Sequence, residues 1–512
     1  MNILKNVTKK RWHLILALGL FMMIYSCGGR SGNAGEQMAT SYVNPILGGD
    51  YPDPSVLRVG RDYYLTHSSF EYYPGLLIWH STDLVNWERI GHALKRNVGS
   101  VWAPDLIKYR DIYYIYFPAG GTNWVITAKD PAGPWSEPID LKLHGFIDPG
   151  HVVDNAGNRY LYLSKGYIIK LSDDGLATIG EPARNYKGWQ FPEEWSTECF
   201  CLEAPKSTVH NGYYYIIVAE GGTAGPATSH MVVAGRSKSP YGPFENSPYN
   251  PIVHTNSRSE RWWSQGHGTL VDDVEGNWWI MYHGYEKGFH TLGRQTLMMP
   301  IEWTKDDWFR IPKGGKSIDE FPSPVGEASE NGTGLSDDFS NNDLGLQWQF
   351  LDKYKPERAV IVDGELAFSA DGNSFFESSP LLVNSGDKKY EATVKFTIDD
   401  GVKAGLCVYY NEFANARVEV DTANFTVFVR QKAKIRVRNM IGNTGYLRIL
   451  NDENEVSFYF STDKKKWTRV ERTIDATGYN HNVFAGFLSL RAGVYVFGEG
   501  IARFDDFIYS KL

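Results

Sequence analysis

Doubled aromatics recur along the first two-thirds of this chain, each just after a turn. They are Arg61-Asp62-Tyr63-Tyr64, Arg110-Asp111-Ile112-Tyr113-Tyr114, Asn158-Arg159-Tyr160-Leu161-Tyr162, Asn211-Gly212-Tyr213-Tyr214-Tyr215 and Glu275-Gly276-Asn277-Trp278-Trp279. Counted from the first aromatic of each, the steps are 50, 47, 53 and 65 residues. Each is a turn signal leading into a β-rich strand. Further strand-like runs follow in several units, among them Leu77-Ile78-Trp79-His80-Ser81, Trp124-Val125-Ile126-Thr127-Ala128 and Met231-Val232-Val233-Ala234. A period of this length with several short strands per unit marks the blades of a β-propeller. Five copies between residues 42 and 321 predict five blades.

The pattern then changes. Residues 322–336 are rich in Pro, Gly and Ser and read as a linker. From 337 to 512 come further strand signals, such as Tyr390-Glu391-Ala392-Thr393-Val394-Lys395-Phe396 and Val456-Ser457-Phe458-Tyr459-Phe460. One antiparallel β-sandwich fits that length. The expected fold class is therefore all-β, a five-bladed β-propeller followed by an antiparallel β-sandwich. At 42% hydrophobic and 22% charged the chain is an ordinary folded protein. A net charge of −8 argues against a nucleic-acid partner.

Residues 1–26 carry Lys5, Lys9, Lys10 and Arg11, no acid, and an apolar run from Leu14 to Ile24. A basic flank before a short apolar core is a secretion signal. The run is too short for a comfortable membrane span. Ile24-Tyr25-Ser26-Cys27 resembles a bacterial lipobox, which implies cleavage before Cys27 and lipidation of that cysteine. Residues 27–41 would then act as a tether. The implied location is that of an exported lipoprotein, in the periplasm or on the outer-membrane surface, touching the membrane only through its lipid anchor. Of the other cysteines, Cys407 is remote, and Cys199 and Cys201 are too close for an easy disulfide. Cys199-Phe200-Cys201 reads as part of a buried strand rather than a metal site.

Inner strands of a propeller converge on its axis, so acids far apart in sequence meet there. Asp53, Asp148 and Glu203 stand 10, 12 and 10 residues before the aromatic strand of their units. Matching offsets in different blades point them at one axis. Glycoside hydrolysis needs two such acids, one ionised and one protonated. An ionised neighbour raises the proton affinity of a carboxyl group, so Asp148 can keep Glu203 protonated while Asp53 stays ionised. Glu198 is a rival for the acid, without the matching offset.

Tyr51-Pro52-Asp53-Pro54-Ser55, Trp102-Ala103-Pro104-Asp105, Ile147-Asp148-Pro149, Glu203-Ala204-Pro205-Lys206, Gly266-His267-Gly268 and Gly293-Arg294-Gln295-Thr296-Leu297 follow one another in that order. In this the chain resembles glycoside hydrolase family 43, the xylosidase and arabinofuranosidase family. The resemblance implies an inverting hydrolase with Asp53 as general base, Glu203 as general acid and Asp148 tuning the acid. Ala204 stands where the family often has Gly. It further implies that Arg294 hydrogen-bonds sugar hydroxyls, that Trp102 and Phe70 wall the sugar pocket, and that His267 lies near the axis beside substrate, water or a metal. Asp105 matches a position near the pocket that is not catalytic. No cofactor is implied for the chemistry. A structural calcium ion at His267 is an option, held mostly through water, because no loop of spaced acids is present.

The implied activity is exo-hydrolysis of β-xylosyl or α-L-arabinofuranosyl ends from plant oligosaccharides or polysaccharides. The alternatives are an endo-arabinanase or galactan-type hydrolase of the same family, and a carbohydrate-binding propeller without catalysis. The Phe70-Glu71-Tyr72-Tyr73-Pro74-Gly75 stretch resembles a rim that closes the pocket and favours exo action. The Val408-Tyr409-Tyr410-Asn411-Glu412-Phe413 stretch is the candidate for a sandwich loop that lends a wall, with a core strand the equal alternative.

Overall fold

The computed structural model describes residues 40–430, 432–438, 442–470 and 472–512; the expected secretion signal, Cys27 and most of the expected tether lie outside the described residues. Every doubled aromatic sits on the second strand of an antiparallel sheet, four-stranded in four blades and five-stranded in the fourth. The inner strands of the five sheets are Ser55–Val59, Asp105–Tyr109, Gly150–Val153, Glu203–His210 and Trp262–Asp272. A second strand is covered on both faces by neighbouring blades, so most of its aromatics are buried. Tyr63, Tyr162 and Tyr215 are each fully buried. The tight turns before them use positive φ. Asn211 and Gly212, at φ 47° and 72°, form a two-residue hairpin loop between His210 and Tyr213.

The ring closes through the start of the propeller. Tyr42 pairs with Phe321, and Leu47 forms a β-bridge with Thr296 of the fifth blade. Between them the buried side chain of Asn44 donates to Met298 O at 2.9 Å and accepts from Met298 N at 2.8 Å. An amide thus stands in for a strand, satisfying backbone groups that would otherwise be buried unpaired.

Residues 337–512 form two large antiparallel sheets around one core that includes Phe396, Leu406, Val418, Phe458 and Phe504. Among the described residues the one α-helix is His481–Phe484. Residues 322–336 lie along the first blade, where Arg89 donates to the carbonyls of Gly332 and Gly334 at 2.6 and 2.9 Å.

One strand belongs to both halves. Tyr72–Tyr73, from the rim of the first blade, pairs antiparallel with Trp348–Leu351 and becomes an edge of a sandwich sheet. Tyr72 is fully buried among Leu351, Leu382, Tyr409 and Tyr495. The Arg491 guanidinium lies 3.3 Å from its ring centroid. The sequence-based loop candidate is corrected here. Val408, Tyr409 and Tyr410 lie buried in the strand Val402–Asn411, because alternate residues face the core and the propeller rim. A chain ended at Phe321 would expose the buried face of Tyr72 and an unpaired strand edge, which promotes aggregation. Such a truncate is expected to be insoluble; a soluble, monodisperse peak in size-exclusion chromatography would contradict this.

Candidate active site

Four of the five inner strands deliver a polar side chain to the axis through a backbone kink. Asp53, Asp148 and His267 have φ of 58°, 55° and 61°, and Ala204, next to Glu203, has 57°. Non-glycine residues adopt this region at a cost, and such outliers cluster at functional sites. The strands of Glu203 and His267 also carry register shifts, so an extra residue turns each side chain inward. Close approach leaves no room elsewhere. A Cβ on Gly150 would lie 1.9 Å from Pro205 O, and one on Gly266 would lie 1.8 Å from the His230 ring.

Asp53 is the hub. Its Oδ1 lies 3.0 Å from His267 Nδ1, 3.0 Å from His283 Nδ1 and 3.3 Å from an Arg294 nitrogen. Ser68 Oγ donates to the other carboxylate oxygen. Burial alone would raise this carboxyl group. The Arg294 charge and the two imidazoles outweigh it and hold Asp53 well below the usual carboxylate range.

Glu203 goes the other way. Burial raises its carboxyl well above the ordinary range, and the charges of Asp148 and Asp53 raise it further. The residue is still partly open, onto a cavity of about 590 Å³ that also touches Trp102, Ile147 and Leu202. Asp148 is pushed by burial to about 6, with His267 opposing. It accepts from the Ala204 N–H at 3.1 Å, which ties it to the peptide carrying Glu203. Glu198, the rival acid, stands exposed on a loop with Oε2 accepting from Ala224 N at 2.9 Å.

Around the carboxylates the structure gathers the other expected residues. Arg294 is buried, with its guanidinium 5.5 Å from the Phe70 ring centroid. Phe70 is 2% exposed, and Trp102 is 37% exposed at the cavity edge. Asp105 does not face substrate space. It pairs with Lys206 at 2.9 Å and accepts from His151 N at 2.7 Å, joining blades two, three and four.

Several residues had no sequence signal. Phe487, from the sandwich, stacks on Phe70 at 6.0 Å, meets Trp102 edge-on at 5.9 Å and sits under Arg294 at 5.0 Å. Tyr410 fixes its loop by donating to Ala485 O and Gly486 O at 2.7 and 2.6 Å. The sandwich thus supplies a wall, but from residues 485–487 rather than 408–413. His283 and His230 add two buried imidazoles, their rings stacked at 5.3 Å. Burial and the Arg294 charge push His283 to about 3, so it is neutral. Asp53, His267 and His283 offer ligand atoms within 4.8 Å of one another and could hold a metal ion.

A second correction concerns Cys199 and Cys201. They lie in a loop, partly exposed, and their sulfurs are paired. Extended strand geometry is abandoned at Cys201, where φ is 39°, and that turn brings the two sulfurs together.

With this geometry in place, comparison with known proteins is decisive. The profile of "Glycosyl hydrolases family 43" matches residues 42–309, and that of "Beta xylosidase C-terminal Concanavalin A-like domain" matches residues 336–510. The chain belongs to glycosyl hydrolase family 43. Among family 43 relatives, a beta-xylosidase of Bacillus subtilis is 31% identical, over 86% of this chain and 93% of that protein. A non-reducing end alpha-L-arabinofuranosidase of Bacteroides ovatus is 28% identical, over 96% of each. The crystal structure of a family 43 protein of Bacillus licheniformis superposes with a TM-score of 0.84 at 28% identity, over 92% of this chain and 100% of that one.

The opposed shifts of the family 43 carboxylates give a pH test. Above about pH 6 Asp148 is ionised and helps keep the Glu203 proton in place. Asp148→Asn removes that charge, so Glu203 loses its proton at lower pH. The alkaline limb of the kcat/KM profile is expected to move to lower pH, while the acid limb is expected to stay. An alkaline limb that does not move would show that Asp148 does not tune the acid.

Proposed function

We propose that the protein is an inverting exo-glycosidase that releases β-xylosyl or α-L-arabinofuranosyl units from the non-reducing ends of plant oligosaccharides or polysaccharides. The observation that carries this reading is the splitting of the axial carboxylates into one held ionised, Asp53, and one held protonated, Glu203. In this mechanism Glu203 gives its proton to the glycosidic oxygen as the bond from that oxygen to the anomeric carbon breaks. Water attacks the same carbon from the opposite face and passes a proton to Asp53. Exchange with solvent then restores both groups. Arg294 orients the sugar by its hydroxyls, and Phe70, Phe487 and Trp102 exclude water and cover the ring's apolar face.

Exo action follows from the wall that the sandwich adds. Phe487 packs against Phe70, Trp102 and Arg294 and narrows the pocket to the size of a chain end. The beta-xylosidase and arabinofuranosidase names of the relatives support pentose as the sugar released. The endo readings do not account for a pocket walled by Phe487.

A divalent cation at the axis would be held by His267 and reached through water. The donors of the axial group are two imidazoles and one carboxylate, whereas calcium takes about six to eight oxygens. His267 Nε2 and both nitrogens of His230 have no partner among the described residues, which suits bridging water. Such an ion would supply charge near the axis; the steps above need only the chain's own residues.

The test is turnover by the purified mature chain of nitrophenyl β-xyloside, α-L-arabinofuranoside and galactoside. A pentoside is expected to react, Asp53→Ala to lower kcat by several orders of magnitude with the fold retained, and Glu203→Ala to do so on xylobiose, whose leaving sugar needs the proton that a nitrophenolate does not. Reaction of the galactoside alone would contradict the reading. We also propose export and lipidation at Cys27, supported by the basic and apolar leader before it. The protein should fractionate with membranes and Cys27→Ala should release it; a soluble, unmodified wild type would contradict this.

A further inference from the structure

The proton held by Glu203 goes to the leaving group, so the cavity that Glu203 faces, away from Asp53 and Arg294, receives the sugar beyond the scissile bond. Its walls include Trp102, Phe146, Ile147 and Leu202. Two ionisable groups line it, Glu203 and Lys165, since Cys201 is paired. Glu203 is held neutral, so Lys165 carries the one full charge of the lining.

The backbone at Lys165 is unusual. Its φ is 63°, in the left-handed region where glycine is at ease and a long side chain is not. The turn cannot relax. Lys165 N–H donates to Leu202 O at 2.7 Å, beside Glu203, and Asn185 N–H donates to Gly166 O at 2.9 Å. Lys165 itself is exposed, so its ammonium stands at the rim of the cavity, open to solvent. Nζ donates to Gly145 O at 2.9 Å and lies 5.8 Å from the Phe146 ring centroid. An ammonium has three N–H groups. One is used, none is paired with a carboxylate among the described residues, and two remain for a ligand.

We propose that Lys165 makes this cavity a subsite for a leaving-group sugar that bears a carboxylate, a uronate or uronate-decorated unit. The sugar's apolar face packs against Trp102 and Phe146 while its carboxylate takes the two free ammonium hydrogens. A charge-assisted bond is stronger than a bond to a neutral hydroxyl, and at this exposed rim the gain is modest and screened by salt. Lys165 therefore sets which glycosidic bonds are cut by what lies beyond them. The inference rests on Glu203 being the proton donor to the leaving group, and its test reads binding rather than turnover.

The Glu203→Gln chain is titrated by calorimetry with xylobiose and with the disaccharide in which glucuronate replaces the reducing-end xylose. The acidic disaccharide is expected to bind about threefold tighter, the gain of an ion pair at an exposed position. The preference should shrink as salt is raised. Lys165→Gly, which suits the local φ and so should fold, is expected to abolish the preference, and Lys165→Arg to restore it. Equal affinity for the two disaccharides, no binding of the acidic one, or a preference that survives Lys165→Gly would overturn the proposal. Loss of the hydrolase reading would be seen separately, as wild-type protein that turns over no pentoside.

Discussion

Three nitrogens converge on one oxygen of Asp53, and the site depends on that convergence. Burying a carboxylate alone would drive it to its neutral form. Arg294, His267 and His283 keep Asp53 ionised in a setting that makes its neighbours keep their protons. The charge of Asp53 is itself one reason why Glu203 and Asp148 are raised. One axis thus holds one carboxyl group ionised and another protonated. The difference lies in who touches each carboxyl, not in how deeply it is buried.

The propeller makes this possible because its inner strands approach from five directions. No single strand could crowd acids and imidazoles so closely without clashing with itself. The kinks at Asp53, Asp148, Ala204 and His267 are the local cost, and tight packing between blades, as at Gly150 and Gly266, keeps them from relaxing. The sandwich completes the site by two routes. It brings Phe487 over the pocket, and through Asn384 it grips the backbone of Asp50, whose carboxylate in turn accepts from Arg294 N at 3.1 Å. The shared strand Tyr72–Tyr73 holds both routes in register.

Much of this was legible in the sequence, for physical reasons that differ by element. Doubled aromatics mark second strands because blades cover both faces, so the repeat survives as a pattern. The acids Asp53, Asp148 and Glu203 keep similar offsets of 10, 12 and 10 residues to those strands because each lies at or just before the start of its inner strand. Phe487 has no such frame. It sits on an irregular loop of another fold, where nothing in the neighbouring residues distinguishes a wall from any surface aromatic. His283 hides as one polar residue within the apolar strand Trp278–Glu286. The pairing of Cys199 with Cys201 needed a turn that a strand reading excluded. Asp50 lies beside the matched motif, yet its tie to Asn384 crosses 334 residues of chain.

The central claim is that neighbours, rather than burial, split the two axial carboxyl groups, Asp53 and Glu203. Carbon-13 NMR titration of the full chain labelled at Asp and Glu side-chain carboxyls tests it most directly, with Asp53→Asn and Glu203→Gln assigning the signals. The account predicts one carboxyl, Asp53, that stays ionised well into the acid range, and another, Glu203, that keeps its proton well above the ordinary glutamate range. Two carboxyls that titrate together near the ordinary carboxylate value would contradict it.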